Sequence, residues 1–201
     1  MTKDSYLTLA CESTAEVREK SSRFVAYAFP VVDVEAFKAK LAEISKAHHT
    51  ARHICHAWVL GTAGEKFRSF DAGEPSGSAG KPILRQLQGG SLTFSAIVVV
   101  RYFGGTLLGK AGLSHAFAAA AKAALAANHV VEQKTLEALL VECGYEQVEE
   151  VKRSVVLVEG DVLEAHFDIR CRLHIAVPKS AVAGLIIDWR RKAIDVRPEE
   201  R

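Results

Sequence analysis

The apolar positions along the chain follow two rhythms, one alternating and one helical, and their succession predicts the elements. Tyr6-Leu-Thr-Leu9 and the stretch Val17 to Phe29 alternate, as half-buried strands do. The polar interruption Lys20-Ser-Ser-Arg23 inside the second reads as a bulge or an exposed edge. Behind Asp33, an N-cap type of residue, Val34, Phe37, Leu41 and Ile44 recur at helical spacing and predict a helix to about His48. Arg52 to Leu60 reads as a strand, Lys66 to Phe70 as a short one, and Pro82 to Leu87 as a helix with proline in its first turn. The run Ser95-Ala-Ile-Val-Val-Val100 is apolar without a break, which predicts a strand covered on both faces. Leu113 to Asn128 follows as a helix whose surface is mostly alanine, small enough to lie close against a sheet.

A second pattern starts after Val130 to Thr135, the expected domain boundary and, through the polar run Glu132 to Thr135, the expected site of mild proteolysis. Strand Leu136–Cys143, helix Glu146–Leu157, strands Val162–Phe167 and Ile169–Val177, helix Lys179–Arg191 and strand Ala193–Val196 are in the ferredoxin-like order. The expected fold class is therefore α+β in two domains, residues 1–131 and 136–201.

Two glycine-rich loops flank the apolar run. The first is Asp71-Ala-Gly-Glu-Pro-Ser-Gly-Ser-Ala-Gly-Lys-Pro82, the second Arg101-Tyr-Phe-Gly-Gly-Thr-Leu-Leu-Gly-Lys-Ala-Gly112. Glycines at this density call for positive φ or for a close approach of another backbone or a ligand. Asp71, Glu74, Lys81, Arg101 and Lys110 put five charges on these loops.

Composition changes this picture little. Of 201 residues, 49% are hydrophobic and 25% charged, as in an ordinary soluble protein. The N-terminal residues lack the basic and apolar regions of a signal peptide, and no apolar run could span a bilayer. The four cysteines, Cys11, Cys55, Cys143 and Cys171, form no Cys-x-x-Cys pair and are expected reduced and buried rather than bridged, in the cytoplasm. Charge is uneven: residues 1–131 hold 15 Lys/Arg against 10 Asp/Glu, and residues 132–201 hold 11 against 14. The basic first part, with six of the eight histidines, leans toward an anionic partner.

Several short motifs invite a chemistry and fail. Gly104 to Lys110 spells Gly-x-x-x-x-Gly-Lys after a strand, but Ala111 has no hydroxyl for Mg²⁺ and no later strand ends in an acidic metal ligand. Anion binding by backbone N–H groups at that helix start survives as a milder expectation. Ser78-Ala-Gly-Lys81 lacks the companion elements of penicillin-recognising enzymes. His53 and Cys55 face one side of their strand and Ile54, His56 and Trp58 the other, so with His48 and His49 upstream they do not converge as a metal site. Glu74 is expected to contact the second loop, with Arg101 as its first candidate partner.

Taken together, four segments resemble the YigZ/IMPACT family from about Lys20 to the end. They are Lys20-Ser-Ser-Arg-Phe24, Arg52-His-Ile-Cys-His-Ala-Trp58, Gly73-Glu-Pro-Ser-Gly-Ser-Ala-Gly-Lys-Pro82 and Val99-Val-Arg-Tyr-Phe-Gly-Gly-Thr-Leu-Leu-Gly-Lys-Ala-Gly-Leu113. Where the family's first loop usually has a second acidic residue, this chain has Ala72, which argues against a paired-carboxylate metal site. The resemblance implies an N-terminal ribosomal-protein-like βαβ domain, as in domain IV of elongation factor G. It also implies a ferredoxin-like C-terminal domain similar to domain V of that factor.

The resulting expectation is a non-catalytic RNA- or ribosome-binding protein that regulates translation. An enzyme acting on an anionic or phosphorylated small molecule at the two loops, and a protein-interaction module, are the alternatives. Lys20, Arg23, Lys81, Arg101 and Lys110 are the expected anion- or nucleic-acid-binding residues. His53, Cys55, Asp71, Gly73, Glu74, Pro75, Gly80, Tyr102, Gly104, Gly105, Gly109 and Gly112 are the motif and structural positions. No catalytic residue, metal or cofactor is assigned.

Overall fold

In the computed structural model, which describes residues 4–199, the unbroken apolar run is the middle strand of a five-stranded sheet. In chain order the first elements are β1 (Ser5–Leu9), β2 (Ser13–Glu19), β3 (Ser22–Pro30), α1 (Val34–Ala47), β4 (His53–Leu60), β5 (Lys66–Phe70), α2 (Gly80–Gly89), β6 (Ser95–Tyr102), α3 (Gly109–Ala126) and β7 (Val130–Lys134). Then come β8 (Leu136–Cys143), α4 (Val148–Leu157), β9 (Asp161–Phe167), β10 (Cys171–Pro178), α5 (Val182–Arg191) and β11 (Asp195–Pro198). The chain divides into two compact units: Tyr6–Gln133, and residues 134–199 together with Asp4 and Ser5.

In the first unit the strand order is β2-β3-β6-β4-β5, with every neighbour antiparallel. Helix α1 covers one face, packing Phe37 and Ile44 on Val25, Trp58, Val98 and Val100. Helices α2 and α3 cover the other, where Ile83, Leu87 and Phe117 meet Phe24, Cys55, Ile97 and Val99. Two covered faces explain why β6 shows no alternation. Asp33 starts α1 by accepting from Ala36 N–H at 2.7 Å. Along α3, Ala116, Ala120, Ala121 and Ala124 are buried and bring the helix down onto β2 and β3.

Four segments differ from the sequence expectation. The stretch Val17 to Phe29 is not one interrupted strand: Lys20 (φ 43°) and Ser21 (φ 66°) make a two-residue turn, and the chain folds back as the β2–β3 hairpin. Both glycine loops give way to helix early, α2 at Gly80 and α3 at Gly109, because loop N–H groups enter the first helical turn. Val130–Lys134 is no open linker but β7, paired with β1 in a two-stranded ribbon.

The second unit has the order β-α-β-β-α-β, with an antiparallel sheet β11-β8-β10-β9. Both of its helices pack on one face, where Val151, Val155, Leu185 and Trp189 cover Leu139, Val141, Leu173 and Ile175. Alternation puts Glu142, Arg172, His174 and Arg197 on the opposite face. Among the described residues, no helix is long and apolar enough to cross a membrane.

Candidate functional site

Strand register collects the family motifs at one end of the first sheet. Arg101 lies opposite Phe24 and His53, and Tyr102 opposite Arg23, so the ends of β3, β4 and β6 coincide. The Lys20–Ser21 turn meets the second loop there: Gly104 N–H donates to Ser22 Oγ at 3.2 Å. A Cβ on Gly104 would lie 2.1 Å from the Ser21 carbonyl carbon, so this position requires glycine.

The first loop is organised by Asp71. Its Oδ1 accepts from Ala79 N–H at 3.0 Å and Gly80 N–H at 2.8 Å, and its Oδ2 from Gly77 N–H at 2.8 Å. These are donors at the start of α2 that the helix itself cannot satisfy. Burial disfavours the Asp71 carboxylate, but the three N–H groups, with Lys81 adding to them, outweigh it and hold the group below its usual range. The same carboxylate fills the N-terminus of α2, whereas Leu108 gives the start of α3 no side-chain cap.

Glu74 and Arg101 tie the loops together. Arg101 donates from Nη1 to Glu74 Oε1 at 2.6 Å, and their side chains are only 7% and 2% exposed. The Arg101 guanidinium also lies 5.7 Å from the Phe24 ring and 5.5 Å from that of Phe103. Its charge is thus neutralised inside the protein. This separates Arg101 from the other cations grouped with it on sequence: Lys20, Lys81 and Lys110 are exposed and Arg23 is half-buried.

His53 and Cys55 brace the first loop rather than face a substrate. His53 Nδ1–H donates to the Ala72 carbonyl at 2.9 Å, and the Cys55 thiol donates to the Asp71 carbonyl at 3.0 Å. Burial first, then the Glu74 and Asp71 charges, push the Cys55 thiol far above its ordinary value, so it stays a thiol. Gly73 (φ 83°) carries the turn that puts Ala72 beneath His53.

On the α1 side the same end holds a group that the motifs did not signal. His48 sits between two tyrosine hydroxyls, with Nε2 2.7 Å from Tyr27 and Nδ1 2.7 Å from Tyr102. Burial, with a smaller push from Arg23, keeps its imidazole neutral to lower pH than usual. Arg23 lies over the Tyr102 ring, 4.5 Å from its centroid. Tyr102 and Arg23 stand in quoted motifs, but only the fold brings Tyr27 and His48 to them. The arrangement can present cations and helix N–H groups to an anion, while its buried pair and braced loops fix the shape.

The family that the motifs resemble is also the one that known proteins point to. Residues 20–125 match the family model described as the Impact N-terminal domain. The IMPACT family member YigZ of Escherichia coli K12 is 33% identical over 182 residues, 90% of this chain and 89% of that protein. YvyE of Bacillus subtilis, also described as an IMPACT family member, is 30% identical over 163 residues, 81% of this chain and 75% of that one. A crystal structure described as that of a hypothetical protein superposes over the whole of both chains with a TM-score of 0.71 at 30% identity. The glycine loops joined by Glu74 and Arg101 lie inside the matched domain, and the likeness runs on past it: this chain belongs to the IMPACT family.

Proposed function

We propose that the protein regulates translation non-catalytically, binding RNA or the ribosome through the loop end of its first unit. One observation carries this reading: the Lys20–Ser21 turn and Arg23 meet the second loop at the end of the sheet, where Lys110 stands in the uncapped first turn of α3 and Lys81 follows the first loop, which Glu74 ties to the second. Exposed Phe70 and Phe103 stand at the same end, offering rings beside the cations. The titratable groups beside them are already engaged, Arg101 by Glu74 and His53 and Cys55 by loop carbonyls. That favours binding over turnover of an anionic small molecule. The family resemblance to domains IV and V of elongation factor G, the second of them ferredoxin-like, gives the binding its ribosomal direction.

The test is a salt titration on single-stranded and structured RNA. Affinity should fall with salt by about 0.7 per phosphate contact on a log–log plot for single strands. Lys110→Ala, or Lys20→Ala with Arg23→Ala, should weaken binding to all sequences alike and flatten the single-strand slope by that same amount, about 0.7 per true contact. A slope indifferent to these substitutions, or no binding at low salt, would overturn the reading and favour a protein partner.

A further inference from the structure

The uncovered face of the second sheet brings together two histidines and a glutamate that lie in no family motif. Glu164 and His166 are two apart on β9 and share a face, and Glu164 lies directly opposite His174 on β10. One donor atom from each of the three lies within 4.8 Å of the others. Glu164 Oε1 and His166 Nε2 are 3.0 Å apart. Two ligands about 2.1 Å from a tetrahedral ion stand roughly 3.4 Å apart, so small rotations of exposed side chains suffice to close the set.

Two further observations support the cluster. His174 Nδ1–H donates to Glu199 Oε1 at 2.8 Å. A carboxylate on one ring nitrogen fixes the tautomer and leaves the other lone pair for a metal, the usual outer partner of a metal-bound imidazole. The cluster also opens on a cleft of about 480 Å³ lined by His166, Phe167, Asp168, Arg172 and His174. That leaves room for water or an anion to complete the coordination. Arg172 opposes a cation there, whereas Glu164, Asp168 and Glu199 favour one.

We propose that Glu164, His166 and His174 form a binding site for a borderline divalent ion of the zinc class, with Glu199 as the positioning residue for His174. Two imidazoles and one carboxylate select zinc or its transition-metal neighbours over magnesium and calcium, which prefer all-oxygen shells. Glu164 and His166 are exposed and His174 is half-buried, so the site exchanges its ion with solvent. It lies in the second unit and does not depend on the RNA reading.

The experiment is a calorimetric titration of the untagged, chelator-treated full chain with ZnCl₂, beside long-range proton–nitrogen spectra of the imidazoles. One equivalent should bind, with one ring nitrogen of each of His166 and His174 shifting and those of His115 unmoved. His166→Ala and His174→Ala should each weaken binding more than about tenfold, and Glu199→Gln about tenfold with the stoichiometry kept. A Cys11→Ser chain, lacking the exposed thiol, should bind as the parent does. Absence of binding, or zinc that shifts other residues or survives the double histidine substitution, would overturn the site. Should a histidine variant not fold, the spectra of the unsubstituted chain decide alone.

Discussion

Both faces of the first sheet are taken by helices, whereas the second sheet has helices on one face only. In the first unit, polar chemistry is therefore displaced to the end where β6 runs out, and there it must be built from loops. In the second it can stand on the sheet face at alternate positions. The difference sets what a charge pair is worth. Glu74 and Arg101 form a pair removed from water by the packed ends of the strands. Arg197 and Glu142 sit on the open face, 3.4 Å apart, with the arginine side chain 64% exposed. A buried charge left without its partner is expensive, while an exposed one is rehydrated.

The largest expected effect comes from breaking the pair at the covered end. Glu74→Ala should lower unfolding free energy by about 3–5 kcal/mol, measured by denaturant titration, because Arg101 would stay buried and uncompensated. The double variant with Arg101→Met should be less damaged than the single one. A single variant as stable as the parent would mean that Arg101 reaches water, and the contrast between the two sheets would collapse.

Next comes a titratable group on the α1 face of the same sheet. Burial, chiefly, lowers His56 from 6.5 to about 4, and its ring packs between Phe37 and Phe70. The folded state holds it neutral while the unfolded chain protonates near the ordinary value. Its contribution is thus present above about pH 6.5 and is lost as pH falls toward 4. The loss is on the order of 3 kcal/mol. His56→Phe should remove that part of the acid sensitivity, read as the difference in unfolding free energy between pH 7 and pH 4.5. Equal pH dependence in both proteins would place the titration elsewhere.

The smallest effect belongs to the open face. Arg197→Ala should cost less than about 1 kcal/mol in the same denaturant assay, and less still at high salt. A loss as large as that of Glu74→Ala would show that the second face is covered after all.

The two sheets also differed in how much of them the sequence revealed. Repetition at fixed spacing was enough for α1 with its Asp33 cap, for the unbroken β6, and for the strand–helix order of the second unit. The β2–β3 hairpin was hidden because Lys20-Ser21 takes positive φ without the Asn-Gly or Asp-Gly signal that usually marks such a turn. The β1–β7 ribbon was hidden because its strands are more than a hundred residues apart, and only packing chooses that pairing. At the site, the Glu74–Arg101 contact could be anticipated from opposite charges on facing loops. The role of Asp71 could not, since its acceptors serve N–H groups six to nine residues on. Nor could the cluster of Glu164, His166 and His174, whose meeting depends on the β9–β10 register.

The alanines of α3 have a consequence for how this chain can vary. Ala116, Ala120, Ala121 and Ala124 have almost no surface, so the distance from helix to sheet is set by methyl groups and backbone alone. On that stripe, exchange is limited by room, and any larger side chain must lift the helix from β2 and β3. His115, Lys122 and Ala126 on the outer side have no such limit. Drift in this helix should therefore be confined to one side of it. Close to the loop end, a lifted α3 would carry Gly109 and Lys110 with it, so the constraint on four small residues is also a constraint on where the second loop stands.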